Sequence, residues 1–280
     1  MNGAGNDFVV LDNRFYHFAE RELAVLATRL CRRTEGVGAD GLLALADGEN
    51  GAHFRMHYHN ADGSRATMCG NGARCLARYA RLNGVAGEGD AFTFDTDAGR
   101  YHADVPEDVA CDVRLHVPPA RGLRPVTLAG HAATLVWTGT EHAVLFVDRA
   151  ADAPVATLGP ALRHDAALGA RGANVNFAEV VNDGRGGQGA CLNVRTFEKG
   201  VEAETRACGT GALAAALAAR LTGRVASAPV AIQMPGGTLR VGFAWAEGDP
   251  VEAVTGLTLE GPAETTFRGT VELDPAILRG

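Results

Sequence analysis

The chain has 280 residues, a net charge of -7, a hydrophobic fraction of 46% and a mean hydropathy near zero. That length allows two domains with separate cores, and no apolar run approaches the roughly 20 residues of a bilayer span. An acidic balance with scattered charges excludes nucleic acid as the main partner, because phosphate binding needs a basic face. No basic segment followed by an apolar core opens the chain, so it is read without a signal peptide. Six cysteines, none in a Cys-x-x-Cys pair, suit neither a secreted disulfide framework nor a zinc ribbon. A cytoplasmic protein with reduced thiols is expected.

In chain order, leucines 23, 26 and 30 recur at helical spacing in "AERELAVLATRLCRR", which predicts a helix there. After "GVGADG" come β-like runs, "LLALA" and the alternating "HFRMHYH". A helix is predicted from about Ala73 to the glycine stop at Gly84. "AFTFDT", "YHADV" and "CDVRLHV" then read as consecutive strands, and the paired prolines of "PPARG" at 118–122 mark a linker. Beyond it, strands are predicted near 123–129, 132–138 and 142–148, and again in "NVNFAEV" and "CLNVRTF". A second Ala-rich helix follows, then strands near 229–234, 237–244 and 251–259. The order of the second half resembles that of the first. An α/β (α+β) fold of two similar lobes with a cleft between them is expected.

One phrase occurs twice. Residues 69–84, "CGNGARCLARYARLNG", and 208–223, "CGTGALAAALAARLTG", align without a gap, with Cys69 on Cys208, Gly70 on Gly209 and Gly72 on Gly211. Glycines at a helix start permit a tight turn and leave backbone N–H groups uncovered, and the helix end carries partial positive charge. A cysteine placed there has its thiolate favoured. Two such thiols facing one ligand suit inversion of a stereocentre beside a carboxylate. One takes the α-proton, the other protonates the opposite face, and the helix ends stabilise the charge that spreads onto the carboxylate. Cys31, Cys75, Cys111 and Cys191 lie in helix-like or strand-like stretches and read as inert buried thiols.

Other readings stand beside this one. The glycines lack the third member of a dinucleotide fingerprint, and no Gly-Lys-Ser/Thr follows. His57-x-His59 on a strand could offer two imidazoles to a metal, although a half-exposed strand face explains it as well. The repeat could record duplication alone. A dithiol redox or metal-binding protein is the competitor from a different class.

Several motifs in order make the chain resemble the diaminopimelate epimerase family. They are "GAGNDFVVLD" at 3–12, "GVGADGLL" at 36–43, "NADGSRATMCGNGARC" at 60–75, "GTEH" at 139–142, "NVNF" at 174–177, "FEKGVEAETRACGTGA" at 197–212 and "MPGG" at 234–237. The resemblance implies a cofactor-independent isomerase, with no metal, that interconverts LL- and meso-diaminopimelate in lysine biosynthesis. It implies two pseudo-symmetric lobes, each a mainly antiparallel sheet wrapped around a central helix, with the active site in the inter-lobe cleft and a homodimer as the assembly. One lobe is expected over residues 1–117, completed by a C-terminal strand at 263–280, and the other over 118–262.

The resemblance makes Cys69 and Cys208 the acid–base pair. Gly70, Asn71, Gly209 and Thr210 would bind the reacting carboxylate, Asn6, Asn60 and Asn174 would contact the substrate, and Glu198 would hold an ammonium group. Its departures matter too. Lys199 stands where the family usually has arginine, and it is the only lysine among 26 basic residues. A lysine can hold a carboxylate, but without the planar two-bond clamp of guanidinium. Thr140 and Glu141 replace a common Asn-Pro just ahead of His142, which the resemblance would still make a substrate contact. The first motif usually follows a short strand, and with little chain ahead of it Asn6 is expected to be weakly anchored. A proline or hydroxyproline racemase is the related alternative. A phenazine-type isomerase shares the architecture without the thiol pair.

Overall fold

The computed structural model describes residues 1–85, 87, 89–185, 189–245 and 251–273. They divide into two compact units, Met1–Leu115 with the segment from Gly261 onward, and His116–Glu260.

In the first unit, β1 (Asn2–Gly3) and β2 (Asn6–Asp12) form a hairpin, followed by α1 (Asn13–Tyr16) and α2 (Glu20–Leu30). Then come β3 (Gly41–Asp47), β4 (Phe54–Asn60), α3 (Gly70–Leu82), β5 (Ala91–Thr96), β6 (Gly99–Asp104) and β7 (Val113–His116), which reaches the unit's edge. The pairings are β2 parallel to β3, β3 antiparallel to β4, β4 parallel to β5, and β5 antiparallel to β6. Helices α2 and α3 are the crossovers that parallel neighbours require. Leucines 23, 26 and 30 of α2 pack with Leu42 and Ala44 of β3, as their spacing predicts.

The second unit holds β8 (Arg121–Leu128), β9 (His131–Trp137), β10 (Glu141–Phe146), α4 (Val155–Arg163), β11 (Asn174–Asn182), β12 (Ala190–Glu198), β13 (Ala203–Thr205), α5 (Gly209–Leu221), β14 (Val230–Met234), β15 (Gly237–Ala244) and β16 (Thr255–Gly261). Here β10 runs parallel to β11, β11 antiparallel to β12, β12 parallel to β14, and β14 antiparallel to β15. The first unit's sequence of pairings is thus repeated, with α4 in the place of α2 and α5 in that of α3. Most remaining pairs are antiparallel, and α5 packs against β9, β10, β11, β12, β14 and β15. Every residue from Gly211 to Ala219 is buried, because small side chains let the sheet close around the helix.

Three expectations change. The strand placed at 251–259 is a short 3-10 turn, Val251–Ala253, followed by β16. Of the strand expected at 263–280, residues 263–273 form a single bridge, Glu264 to Asn2, and residues 274–280 lie outside the described residues. Residues 264–272 are exposed throughout, so no buried face holds them in a sheet. Cys111 is exposed on a bend closed by its own N–H to the Asp108 carbonyl, not buried in a strand.

Candidate functional site

Cys69 is the N-cap of α3, and Cys208 is the N-cap of α5. Both backbones are extended (φ -141° and -134°), and neither thiol caps its own helix. The opening N–H groups of a helix have no intrahelical acceptor, so each thiol stands beside a donor-rich, electropositive end. The glycines three residues on are there for space. A Cβ on Gly72 would press Leu43 at 3.0 Å, and one on Gly211 would lie 2.5 Å from Asn176 Oδ1.

In the first unit, the half-buried Cys69 thiol donates to Asn6 Oδ1 at 3.7 Å. Asn6 is firmly held, contrary to expectation, since its Nδ2 donates to Asp40 Oδ2 at 2.5 Å. That bond also fixes which end of the amide meets the thiol. Asp40 and Asp7 are themselves clamped by Arg33, which holds Asp7 below the usual carboxylate range against the opposing effect of burial. Asn60 accepts from the Tyr58 hydroxyl and donates to Ser64 Oγ, which makes it a turn-holder as well as a candidate contact. The buried Asn71 side chain turns inward to accept from Arg74, leaving its backbone as the part available to a ligand.

In the second unit, strand register assembles the site. Pairing of β10 with β11 sets His142 beside Asn174, and pairing of β11 with β12 sets Asn176 opposite Thr196. His142 is fully buried, with Asn174 Nδ2 at 3.2 Å from Nε2 and Asn176 Nδ2 at 3.1 Å from Nδ1. Burial, reinforced by the Lys199 ammonium, pushes its pKa down to about 3. Thr138 donates to the Thr210 carbonyl, and the Cys208 sulfur lies 3.4 Å from Thr210 Oγ1. Burial raises Glu198 above the ordinary carboxylate range.

Lys199 is engaged twice. Its backbone N–H donates to Asn174 Oδ1 at 2.7 Å, and its ammonium pairs with Glu141 at 2.8 Å. Glu141 in turn meets Arg171 at 3.0 Å. The two unusual residues, Glu141 and Lys199, are therefore partners. Asp40, Glu141, Asn176 and Thr196 were not read as site residues. Asp40 and Glu141 lie inside quoted motifs, and Asn176 lies two positions from Asn174 and so shares its face of a strand. His57 and His59, weighed as a metal pair, both face the Glu20 carboxylate, at 3.4 and 3.1 Å.

The sequence profile of the diaminopimelate epimerase family matches residues 1–115 and 134–256. The diaminopimelate epimerase of Chlorobaculum tepidum is 42% identical over 275 residues, 98% of this chain and 100% of its own length. That of Flavobacterium psychrophilum is 34% identical over 270 residues, covering 96% and 97%. Among solved structures, a phenazine biosynthesis protein from Bacillus anthracis superposes with a TM-score of 0.71 at 13% identity, over 94% of this chain and 92% of the other. A probable proline racemase from Agrobacterium radiobacter gives 0.68 at 17%, over 99% and 94%. At such identities the likeness is one of fold.

Proposed function

We propose, since this chain belongs to the diaminopimelate epimerase family, that it interconverts LL- and meso-2,6-diaminopimelate by two-base proton transfer at one α-carbon, with Cys69 and Cys208 as the bases. The observation that carries this reading is the matched pair of helix starts, each with a thiol at the N-cap and glycines behind it. A thiolate removes the α-proton, the electron pair left behind spreads onto the α-carboxylate, and the other thiol returns a proton to the opposite face. The charge on the two sulfurs is exchanged by each turnover, so the protein's own groups balance the reaction and no cofactor is used.

The α-proton of an amino acid is weakly acidic, so most of the barrier lies in forming the carbanion. Donors fixed in advance on the carboxylate are the effective remedy, each worth about 3 kcal/mol in comparable sites. Backbone N–H groups of Gly70, Asn71, Gly209 and Thr210 supply them. Asn6, Asn60 and Asn174 orient the substrate, Glu198 takes an ammonium group, and Lys199 takes a carboxylate while still bonded to Glu141. His142 stays neutral behind Asn174 and acts through it. The same reading, carried by the family and by the scarcity of cysteines, places a homodimer in the cytoplasm as part of lysine biosynthesis.

A panel of amino acids incubated in heavy water, scored by mass spectrometry for α-deuterium, tests the substrate. Diaminopimelate should exchange and proline should not, and the opposite result would overturn the assignment. Cys69→Ala and Cys208→Ala should each abolish epimerisation. Substantial turnover by either variant would refute the two-base mechanism, and an activity destroyed by reductant would favour a dithiol redox protein instead.

A further inference from the structure

The side chain of Asn6 has two unlike ends. An amide oxygen accepts a hydrogen bond from a thiol, whereas an amide NH2 donates one to a thiolate. A sulfur that meets the oxygen keeps its proton, and one that meets the NH2 gives it up more readily. Which end faces Cys69 is settled on the far side of the amide. There Nδ2 donates to Asp40 Oδ2 at 2.5 Å, and a carboxylate oxygen accepts only from the NH2 end. Oδ1 is therefore the atom 3.7 Å from the Cys69 sulfur.

Asp40 is itself fixed at both oxygens. Its Oδ1 accepts from Arg33 Nη2 at 2.7 Å, and its Oδ2 also accepts from the Asp7 N–H at 3.3 Å. The N–H of Asp40 donates to Asp7 Oδ1 at 3.0 Å, so each aspartate binds the other's main chain. Arg33 takes both oxygens of Asp7 at 3.0 Å. The parallel register sets Phe8 of β2 beside Gly41 of β3, which places Asp7 and Asp40 side by side just ahead of them. A lone exposed ion pair would hold little, but a two-point arginine clamp within a network fixes a carboxylate in one orientation.

We propose that Asp40 is a positioning residue for the reaction: by pinning the Asn6 amide it keeps the oxygen on the Cys69 sulfur, and so holds the proton on that thiol until substrate arrives. The inference rests on the reading of Cys69 as one member of the acid–base pair. Asp40 acts through Asn6 alone. Asp7 and Arg33 stand behind Asp40, and Arg74 and Cys75 on α3 are also within electrostatic reach of the sulfur. All four are left unchanged in the variants that test the relay.

The test is the rate of iodoacetamide alkylation of Cys69 against pH, read by peptide mass spectrometry on the full chain without substrate. In Asp40→Asn the new amide keeps its oxygen on Arg33 and turns its NH2 to Asn6. Asn6 then reverses, with its oxygen towards residue 40 and its NH2 towards the sulfur. The Cys69 midpoint should fall by about one pH unit. Losing a negative charge at position 40 would also lower the midpoint through space, with or without Asn6, so the double variant separates the two causes. In the Asn6→Ala background, Asp40→Asn should move the midpoint by less than about 0.3 unit. An equal shift in both backgrounds would overturn the proposal, as would a midpoint that Asp40→Asn leaves in place or raises. Should Asp40→Asn fail to fold, Asn6→Ala decides alone. Removing an acceptor from the thiol lowers the midpoint, and an unchanged or raised value would mean that the oxygen does not hold the proton. Alkylation involves no substrate, so failure here is distinct from failure of the heavy-water panel.

Discussion

His142 is held in a place where only a neutral ring is stable. Its two nitrogens face amide NH2 groups, so a doubly protonated ring would set N–H against N–H on both sides as well as lose its hydration. The folded-state pKa of about 3 lies far below the ordinary histidine value of 6.5. In the window between those values the unfolded chain binds the proton and the folded chain does not. Stability contributed by neutral His142 is therefore complete above pH 6.5 and declines as pH falls towards 3, by a total on the order of 4 kcal/mol. Urea unfolding at pH 7, 6, 5 and 4 should show this decline in the unaltered protein and a shallower one in His142→Gln. Equal slopes in the two proteins would show that the ring is not buried as described. Lys199 was conspicuous in the sequence by its uniqueness, but its partner was not. Glu141 is identified only when β10 and β12 are brought to the same end of the sheet.

At the scale of elements, the sequence revealed the helices whose signals were local. The leucine spacing of α2 and the duplicated start of α3 and α5 were both readable. Helix α4 was missed because nine residues contain Gly159 and Pro160 and follow Pro154, all of them marks of a turn. It exists because β10 and β11 are parallel neighbours and need a crossover, just as α2 joins β2 to β3. Duplication applied consistently would have predicted it. Gly159 shows what its packing demands, since a Cβ there would lie 2.6 Å from Cγ of the buried Phe197 ring. Gly159→Ala sets two effects against each other, a gain of about 1 kcal/mol in helix propensity and an overpacking cost of about 1–3 kcal/mol. The ring belongs to β12, at the centre of the unit's pairing, and has little freedom to yield. Overpacking should win, with a drop of a few degrees in Tm by calorimetry, and an unchanged or higher Tm would mean that α4 packs less closely than described. The candidate site follows the same division. Cysteines, glycines and the motif asparagines were legible one at a time. The Asn176–Thr196 contact and the Pro262 carbonyl that accepts from Arg74 depend on register and on a distant segment, which periodicity does not encode.

At the scale of the whole chain, the path leaves the first unit at Leu115 and rejoins it at Gly261. The returning segment is thin but well tied. Glu264 and Asn2 exchange two backbone hydrogen bonds at 2.8 Å, Ala263 is buried, Leu273 packs against the α2 core, and the Pro262 carbonyl accepts from Arg74. Residues far from Cys69 in sequence thus support the helix on which it sits. Ending the chain at Glu260 removes two backbone bonds of about 1 kcal/mol each and the burial of Leu273, worth up to about 2 kcal/mol. It also strips an acceptor from a buried guanidinium. The truncated protein should unfold several degrees lower, and epimerisation should fall with it although neither cysteine is touched. Glu264→Ala is the matched control, because both bonds to Asn2 are made by the backbone and the side chain is exposed. It should leave Tm within a degree or so of the unaltered protein, since a surface substitution of this kind costs less than about 0.5 kcal/mol. If truncation and control behaved alike, the first unit would be complete without its C-terminal return, and the bond from Arg74 to Pro262 would have no bearing on Cys69.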